Sequence, residues 1–255
     1  MTESFDHYAS GLRDLEIQLQ EAVAVSEKIK GQPAGTWSEI WGSILHTRVI
    51  LNASSLTQII EAATAQSAGS QLLDHFSVAS IARTAMEAGV MALYVTDPTA
   101  DAEDFEMRRK VFLLHDTCHR TRMFKPGQQQ NAAVKEMRDM YRKKISELSA
   151  ELEAMPNFSA LPDEARSRIL GGRDFYVGGV RGALKLIGWD RDEYEFYESY
   201  FSSYVHSMPV SFLRVEEHKI DFGTISDFQY ALCGTALYAV VGTLERTTAR
   251  MRNFG

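Results

Sequence analysis

The chain is poor in cysteine and has no long apolar run. Its two cysteines, Cys118 and Cys233, are too few and too far apart for a disulfide framework or a cysteine zinc site. Charges are spread through residues 1–16, which is not typical of a secretory signal. The apolar run 230–244 is shorter than the ~20 residues that a membrane span needs. These absences predict a cytoplasmic protein with no membrane-embedded segment.

The chain also lacks a positive net charge, because 34 Asp and Glu outnumber 27 Lys and Arg and give a formal net charge of −7. This balance argues against a protein whose whole surface grips a phosphate backbone, although it is compatible with a local basic groove. Apolar residues make up 45% of the chain and charged residues 24%, which is typical of a soluble globular protein. A chain of 255 residues can bury a substantial core.

Apolar residues recur at helical spacing along nearly the whole chain. The pattern predicts helices over residues 1–31, 38–66, 77–96, 102–123, 131–155, 162–170, 174–187, 191–207 and 225–252. In the second of these, the residues expected to face inward are Ile40, Ile44, Leu51, Ile59 and Ile60. Only residues 209–223 are predicted to be extended or irregular. We expect an all-α fold, a single bundle of about eight helices forming one domain over residues 1–255, with the helix of residues 1–31 at its periphery.

The predicted helix 77–96 is apolar on nearly every side and should therefore lie at the centre of the bundle. Its only charges, Arg83 and Glu87, are four residues apart and share one face, which Ser80 and Tyr94 extend. Burying an unpaired charge is costly, so these two residues must pair, line a wet cavity or contact something outside the helix. A structural ion pair and a functional site both fit this pattern.

A second polar stripe lies in the stretch "YESYFSSYVHSMP". If the helix ends near residue 207, Ser199, Ser202 and His206 fall on one face, beside a tyrosine stripe. Histidine changes its charge most easily near neutral pH, and a hydroxyl one turn away can orient it. A packed histidine with no chemistry is the alternative. The candidate catalytic residues are Arg83, Glu87, Ser202 and His206, and the candidate binding residues are Ser80 and Tyr200.

The helix "SIARTAMEAGVMALYVTDP" and the later "YFSSYVHSMP" together resemble a family of uncharacterised bacterial all-helical proteins. That family has an Arg-x3-Glu helix and a later Ser-x3-His helix, which match Arg83 and Glu87, then Ser202 and His206, with Tyr200 in the lead-in. It is reminiscent of HEPN-type helical bundles, which occur in toxin and phage-defence systems and include metal-independent endoribonucleases. The resemblance implies an all-helical fold, no cofactor, and RNA as a candidate partner.

Nucleolytic HEPN domains use an Arg-x4-6-His motif, and no such motif surrounds His206. The spacing occurs instead from Arg108 and Arg109 to His115. If the protein cleaves RNA, we expect Arg83 to stabilise the phosphate and His206 to move the 2′-hydroxyl proton.

A zinc-like spacing occurs in "HDTCHRTR", where His115 and His119 are four residues apart and Cys118 is adjacent. Zincins carry a glutamate where this chain has Asp116, and no third ligand can be named. We expect an exposed polar helix face and no bound metal. The glycines of residues 171–182 are interpreted as helix breaks and close helix contacts.

Three functions therefore stay open at this point. The chain is a HEPN-like protein acting on RNA, a module that holds a small polar ligand at Arg83, Glu87 and His206, or an interaction protein in which these residues form a structural network. The final helix, "YALCGTALYAVVGTL", is rich in small residues and predicts a homodimer contact, unless it is the core of the bundle.

Overall fold

The computed structural model describes residues 2–33, 35–64, 72–125 and 131–253. Within these ranges the chain forms eleven helices and no strand, which confirms the all-α prediction with more helices than expected. In chain order the helices are α1 Glu3–Ile29, α2 Trp37–Thr64, α3 His75–Val95, α4 Ala102–Met123, α5 Ala132–Glu153, α6 Pro156–Ser159, α7 Asp163–Leu170, α8 Gly179–Ile187, α9 Arg191–Val205, α10 Pro209–Glu217 and α11 Asp227–Arg252.

The helices divide into two compact units. Unit 1 contains residues 1–96 and 190–255, and therefore α1 to α3 and α9 to α11. Unit 2 contains residues 97–189 and therefore α4 to α8. The single domain over residues 1–255 stays a prediction.

Helix α3 lies at the centre of unit 1, where it packs against α2, α9 and α11. It is the central apolar helix that the sequence predicts, and the Asp74 carboxylate caps it by accepting a hydrogen bond from the Ser77 amide at 3.0 Å. Among the described residues, α3 is the one helix long and apolar enough to cross a membrane, but 67% of that window is buried inside the protein. This burial is typical of a core helix.

Helix α11 is also core, since it packs against α1, α2 and α3 and is buried along most of its length. Small residues allow its neighbours to approach closely: a Cβ added at Gly89 of α3 would lie 2.3 Å from Cγ2 of Thr243. The final helix is therefore part of the core of unit 1, as the alternative interpretation of its small residues had it, and the homodimer stays a prediction. Helix α1 packs along α11 with Leu15 and Ala22 fully buried.

From Ile40 to Leu51, helix α2 turns a different face to the core from the one predicted. Ile40, Ile44 and Leu51 were expected to face inward but are 47%, 61% and 61% exposed. The buried face carries His46, Val49, Ala53, Leu56 and Ile60, so only the last of these belonged to the predicted inner set. The prediction failed because α2 has apolar residues on two faces, and spacing alone does not say which face meets the core.

Unit 2 is built on α4 and α5, with α6 and α7 packed against them. Its core includes Val111, Leu114, Leu148, Leu152 and Phe158. The predicted helix 174–187 begins only at Gly179, because the residues before it form turns in which Gly172 and Gly178 have positive φ. A Cβ added at Gly172 would lie 2.4 Å from that of Cys118, so this glycine both breaks the helix and allows a close contact.

Residues 209–217 form helix α10, so the prediction of an extended or irregular segment over 209–223 is wrong for its first part. Pro209 occupies the first helical position, which favours a helix start. The helix ends in a Schellman motif: the Lys219 amide donates to Glu216 O at 3.1 Å and the Ile220 amide to Val215 O at 2.9 Å.

Candidate functional site

Arg83 joins the two predicted polar stripes. Its Nη2 lies 2.8 Å from Oε1 of Glu87 on the same helix and 2.8 Å from Oε1 of Glu198 on α9. Its Nε donates to the Ser202 hydroxyl at 3.1 Å. We call Arg83, Glu87, Glu198 and Ser202 the Arg83 cluster. Of the predicted site residues, the structure thus brings together Arg83, Glu87 and Ser202.

The Arg83 cluster carries one positive and two negative charges. The Arg83 side chain is only 12% exposed, whereas those of Glu87 and Glu198 are 56% and 39% exposed. Tyr194 of α9 lies beside the guanidinium: burial raises the pKa of its phenol, and the positive charge of Arg83 partly offsets this rise. The remaining Arg83 nitrogen, Nη1, is buried and has no hydrogen-bond partner of good geometry in the described chain. The cluster is a partly buried cross-link with its carboxylates at the surface.

The sequence prediction did not include Glu198 and Tyr194, because it placed Ser199 on the same helix face as Ser202. Tyr194, Glu198 and Ser202 are spaced by four residues and share the face of α9 that meets Arg83. Counting back from Ser202 in steps of four would have found both residues. Ser199 is exposed.

His206 lies outside this cluster. Helix α9 ends at Val205, so His206 is its C-cap and is exposed. Ser207 follows with φ +48°, its amide donates to Tyr204 O at 3.2 Å, and the Met208 amide donates to Ser203 O at 2.8 Å. These two hydrogen bonds form a Schellman motif, which ends the helix just before His206. His206 therefore does not continue the helix face of Tyr194, Glu198 and Ser202. The His206 side chain makes no hydrogen bond or ion pair with the described residues.

The two predicted binding residues have local partners. The Ser80 hydroxyl donates to the Phe76 carbonyl of its own helix at 2.9 Å. The Tyr200 ring stacks on Phe196, with centroids 5.9 Å apart, and meets Tyr204 edge to face at 5.8 Å. Burial is the main reason that the pKa of the Tyr200 phenol is raised. Within the described part of the chain, no hydrogen bond links Ser80 or Tyr200 to Arg83.

Arg108 and Arg109, which precede His115 at the HEPN-like spacing, both form ion pairs with carboxylates of unit 2. Arg108 forms a buried ion pair with Asp97 at 2.9 Å, and Arg109 pairs with Glu106 at 3.0 Å. Burial alone would raise the pKa of Asp97, but hydrogen bonds from Thr99 and Arg108 lower it overall. A stable buried pair of this kind leaves Arg108 with a structural role.

The His115 and His119 rings lie 6.4 Å apart and parallel, and His115 also meets Phe175 edge to face at 4.9 Å. Burial is the main reason that the pKa of His115 is lowered. In residues 2–33, 35–64, 72–125 and 131–253, no group of three or more His, Cys, Asp or Glu side chains is placed to hold a metal ion.

Unit 1 buries two histidines that the sequence did not single out by any argument. Gln229 accepts from the Ser226 amide through its Oε1, which turns its Nε2 toward Leu73 O at 3.0 Å and His75 Nδ1 at 3.4 Å. Burial lowers the pKa of both His75 and His46.

Comparison of the chain with protein-family models, with curated proteins and with solved structures finds no match. The function is therefore inferred from the chain's own residues, of which the Arg83 cluster and the exposed apolar surfaces carry the most information.

Proposed function

We propose that the chain is a non-enzymatic protein-interaction module, in which the Arg83 cluster holds α3 against α9 and performs no chemistry. The observation that carries this proposal is the set of partners around Arg83. Glu87, Glu198 and Ser202 already occupy Nη2 and Nε of its guanidinium. An arginine held in this way stabilises the contact between two helices, since charge-assisted hydrogen bonds contribute about 1.5–3 kcal/mol each.

A nuclease site at the Arg83 cluster is the weaker alternative. Phosphate would have to approach a cluster whose two carboxylates give it a net negative charge, and these carboxylates are its most exposed groups. A proton-transfer residue must also reach the reacting hydroxyl, at about 2.6–3.2 Å or through one water. His206 caps α9 and makes no side-chain contact with the cluster in the described residues. Neither half of the RNA-cleavage hypothesis gains support from this arrangement.

Exposed apolar side chains support the interaction role directly. They concentrate in two places in unit 1: the N-terminal half of α2, and the region of α9 and α10. In the second region the exposed large side chains are Phe196, Val205, Met208, Val210, Phe212 and Leu213. Groups of exposed large apolar side chains are typical of surfaces that contact another molecule.

The test is an RNA-cleavage assay on the purified full chain, with labelled single-stranded and hairpin RNA and no added metal. We expect no cleavage above that of an Arg83→Ala, His206→Ala double variant. His218→Ala is the matched control, because His218 is also an exposed helix C-cap followed by a residue of positive φ. Cleavage by the wild type that disappears with Arg83→Ala and with His206→Ala, but survives His218→Ala, would refute the proposal.

A further inference from the structure

Residues 207–222, which carry α10 between α9 and α11, are held on unit 1 by little buried surface. We call them the α10 segment. Ser211 and Ile220 are its only buried residues, and α10 packs mainly against α9. A helix of nine residues is not stable on its own in water, so α10 keeps its hydrogen bonds only while α9 holds it. Segments with so little buried apolar area open locally, before the whole chain unfolds.

Backbone strain is concentrated in the same segment. Ser207, Lys219 and Phe222 have φ of +48°, +50° and +58°, and they are the only non-glycine residues of the described chain with positive φ. A residue with a Cβ is disfavoured in this left-handed conformation, and such strain persists only where the surrounding contacts hold it. Release of the segment from α9 relieves the strain, which therefore favours release.

The α10 segment covers His75 of α3. The His75 side chain is fully buried, whereas Phe222 lies nearly parallel to it at a centroid distance of 6.4 Å and is 38% exposed. Phe222 thus lies on the solvent side of His75. His75 also meets Tyr204 of α9 and Phe228 of α11 edge to face, at 6.4 and 6.1 Å. Aromatic rings from three parts of the chain therefore enclose an imidazole that can take up a proton.

Little charge faces the His75 ring to stabilise a proton on it. Asp74, which caps the same helix, is the one charged residue that acts on His75 in the described chain. The groups that face His75 from other elements are uncharged near neutral pH, namely the side chains of Tyr204, Phe222, Phe228 and Gln229. His218, the other imidazole nearby, stacks on Phe228 at 4.3 Å. Burial is the main reason that the pKa of His75 is lowered, although a hydrogen bond to the Leu73 backbone and the charge of Asp74 both act to raise it.

We propose that the α10 segment is a pH-sensitive cover, which is released from α9 when His75 takes up a proton. With the cover in place, a charged imidazole is enclosed by aromatic rings and cut off from water, which is costly. Release of the segment gives water access to the ring and removes this penalty. Below the usual histidine pKa of about 6.5, the released form binds more protons than the covered form, so acid favours release. Above that pH the cover stays closed.

Release also changes the exposed apolar surface of α9 and α10, because Val210, Phe212 and Leu213 leave α9 with the segment. Acid therefore regulates the surface that we assign to a partner. This consequence rests on the proposed function, whereas release itself is a property of the isolated chain and is tested without a partner.

Native-state hydrogen exchange of the full chain at pH 7 and pH 5 tests the cover. The protection factor compares each amide with an unstructured peptide at the same pH, which removes the pH dependence of the exchange chemistry. The amides to follow are those of α10, with Lys219 and Ile220, which donate to Glu216 O and Val215 O. We expect their protection to fall about 5- to 25-fold between pH 7 and pH 5, the upper value being that of a histidine with a pKa of about 6.5 in the released form and no charge in the covered form. Protection that does not change with pH would overturn the inference.

Three histidine variants identify the group that takes up the proton. His75→Phe should abolish the fall in protection, because it keeps an aromatic ring that cannot be protonated. His218→Phe, in the segment itself, is the matched control and should keep the fall. His46→Leu controls for unfolding of the whole of unit 1, because His46 is also buried but lies on α2. It should lessen the acid loss of protection in α11 and leave that of α10 unchanged. A fall that persists in His75→Phe, or that His46→Leu lessens equally in α10 and α11, would reject the cover.

Ser207→Gly tests the cover without changing His75, and so serves if His75→Phe does not fold. Relief of strain at this position should raise the protection of the α10 amides about two- to fivefold at both pH values, and leave the ratio between them unchanged. Lower protection in Ser207→Gly would contradict the inference. A segment that stays closed at pH 5, in a chain that cleaves no RNA, would reject this inference alone, whereas RNA cleavage lost with Arg83→Ala would reject the proposed function.

Discussion

Arg83 and Glu198 are 115 residues apart in the sequence, and their side chains meet at 2.8 Å between α3 and α9. Most of the Arg83 side chain is buried, while the carboxylate it holds is partly open to solvent. The pair thus links the central helix of unit 1 to a helix that the chain reaches only after the whole of unit 2. A helix's own sequence does not determine which other helix it packs against. Contacts between residues far apart in the sequence, such as this one, determine that packing.

The Schellman motif at the end of α10 offers a direct test of local strain. Lys219 occupies its C′ position with φ +50°, where a residue with a Cβ is strained and glycine is not. We expect Lys219→Gly to raise the free energy of unfolding by about 0.5–1 kcal/mol, despite the greater freedom of glycine in the unfolded chain. Lys219→Ala is the control and should give no gain. Equal effects of the two variants in urea denaturation would show that backbone strain is not the cause.

Gly89 of α3 tests the close packing of α3 on α11. A methyl group at this position would lie 2.3 Å from Cγ2 of Thr243, so Gly89→Ala should destabilise unit 1 by about 1–3 kcal/mol. Thr243→Ser removes the clashing methyl group and keeps the hydroxyl that donates to Ala239 O at 2.7 Å. The double variant should therefore recover part of the loss. A Gly89→Ala chain as stable as the wild type would mean that the two helices do not approach as closely as described.

Some of this fold follows from the sequence, and the reasons for the rest are physical. The apolar residues on nearly every side of α3 predict that it lies at the centre, and Asp74 predicts where it begins. Both features can be predicted because they depend on residues close together in the sequence. The prediction of the inner face of α2 was wrong at Ile40, Ile44 and Leu51, because the helix has two apolar faces and only one of them packs against the core. Arg83 and Ser202, which the sequence placed on two polar stripes, do lie in contact, but Glu198 was missed because polar residues are abundant on any helix surface. His206 was expected on the same helix face as Ser202, but α9 ends before it, where Ser207 adopts a left-handed φ. Because Ser207 is not a glycine, its residue type does not indicate a helix end.

Two buried histidines predict the pH dependence of stability. Burial lowers the pKa of His46 and of His75 below the usual histidine value of about 6.5, and a hydrogen bond to the backbone of Ala22 partly opposes this effect at His46. The unfolded chain therefore binds more protons than the folded chain once the pH falls below about 6.5. Stability should be unaffected by these groups above that pH and should fall as the pH drops toward their folded-state pKa values.

His46 gives the cleaner measurement, because its side chain is almost completely buried and burial is the main cause of its lowered pKa. His46→Leu should flatten the loss of stability between pH 6.5 and 5. Denaturation can be followed in a Trp189→Phe background, where Trp37 and Trp41 report on unit 1 alone. An acid slope unchanged by His46→Leu would remove this histidine from the explanation.

The measurement that tests the central claim most directly is a double-mutant cycle on Arg83 and Glu198, read as the free energy of unfolding of unit 1. If the pair is a structural cross-link, Arg83→Ala and Glu198→Ala should each destabilise the protein, and the double variant should lose less than the sum of the two. We predict a coupling of about 1–2 kcal/mol, above that of an exposed ion pair because Arg83 is largely buried. A coupling indistinguishable from zero, with both single variants as stable as the wild type, would contradict the claim that the Arg83 cluster holds α3 against α9.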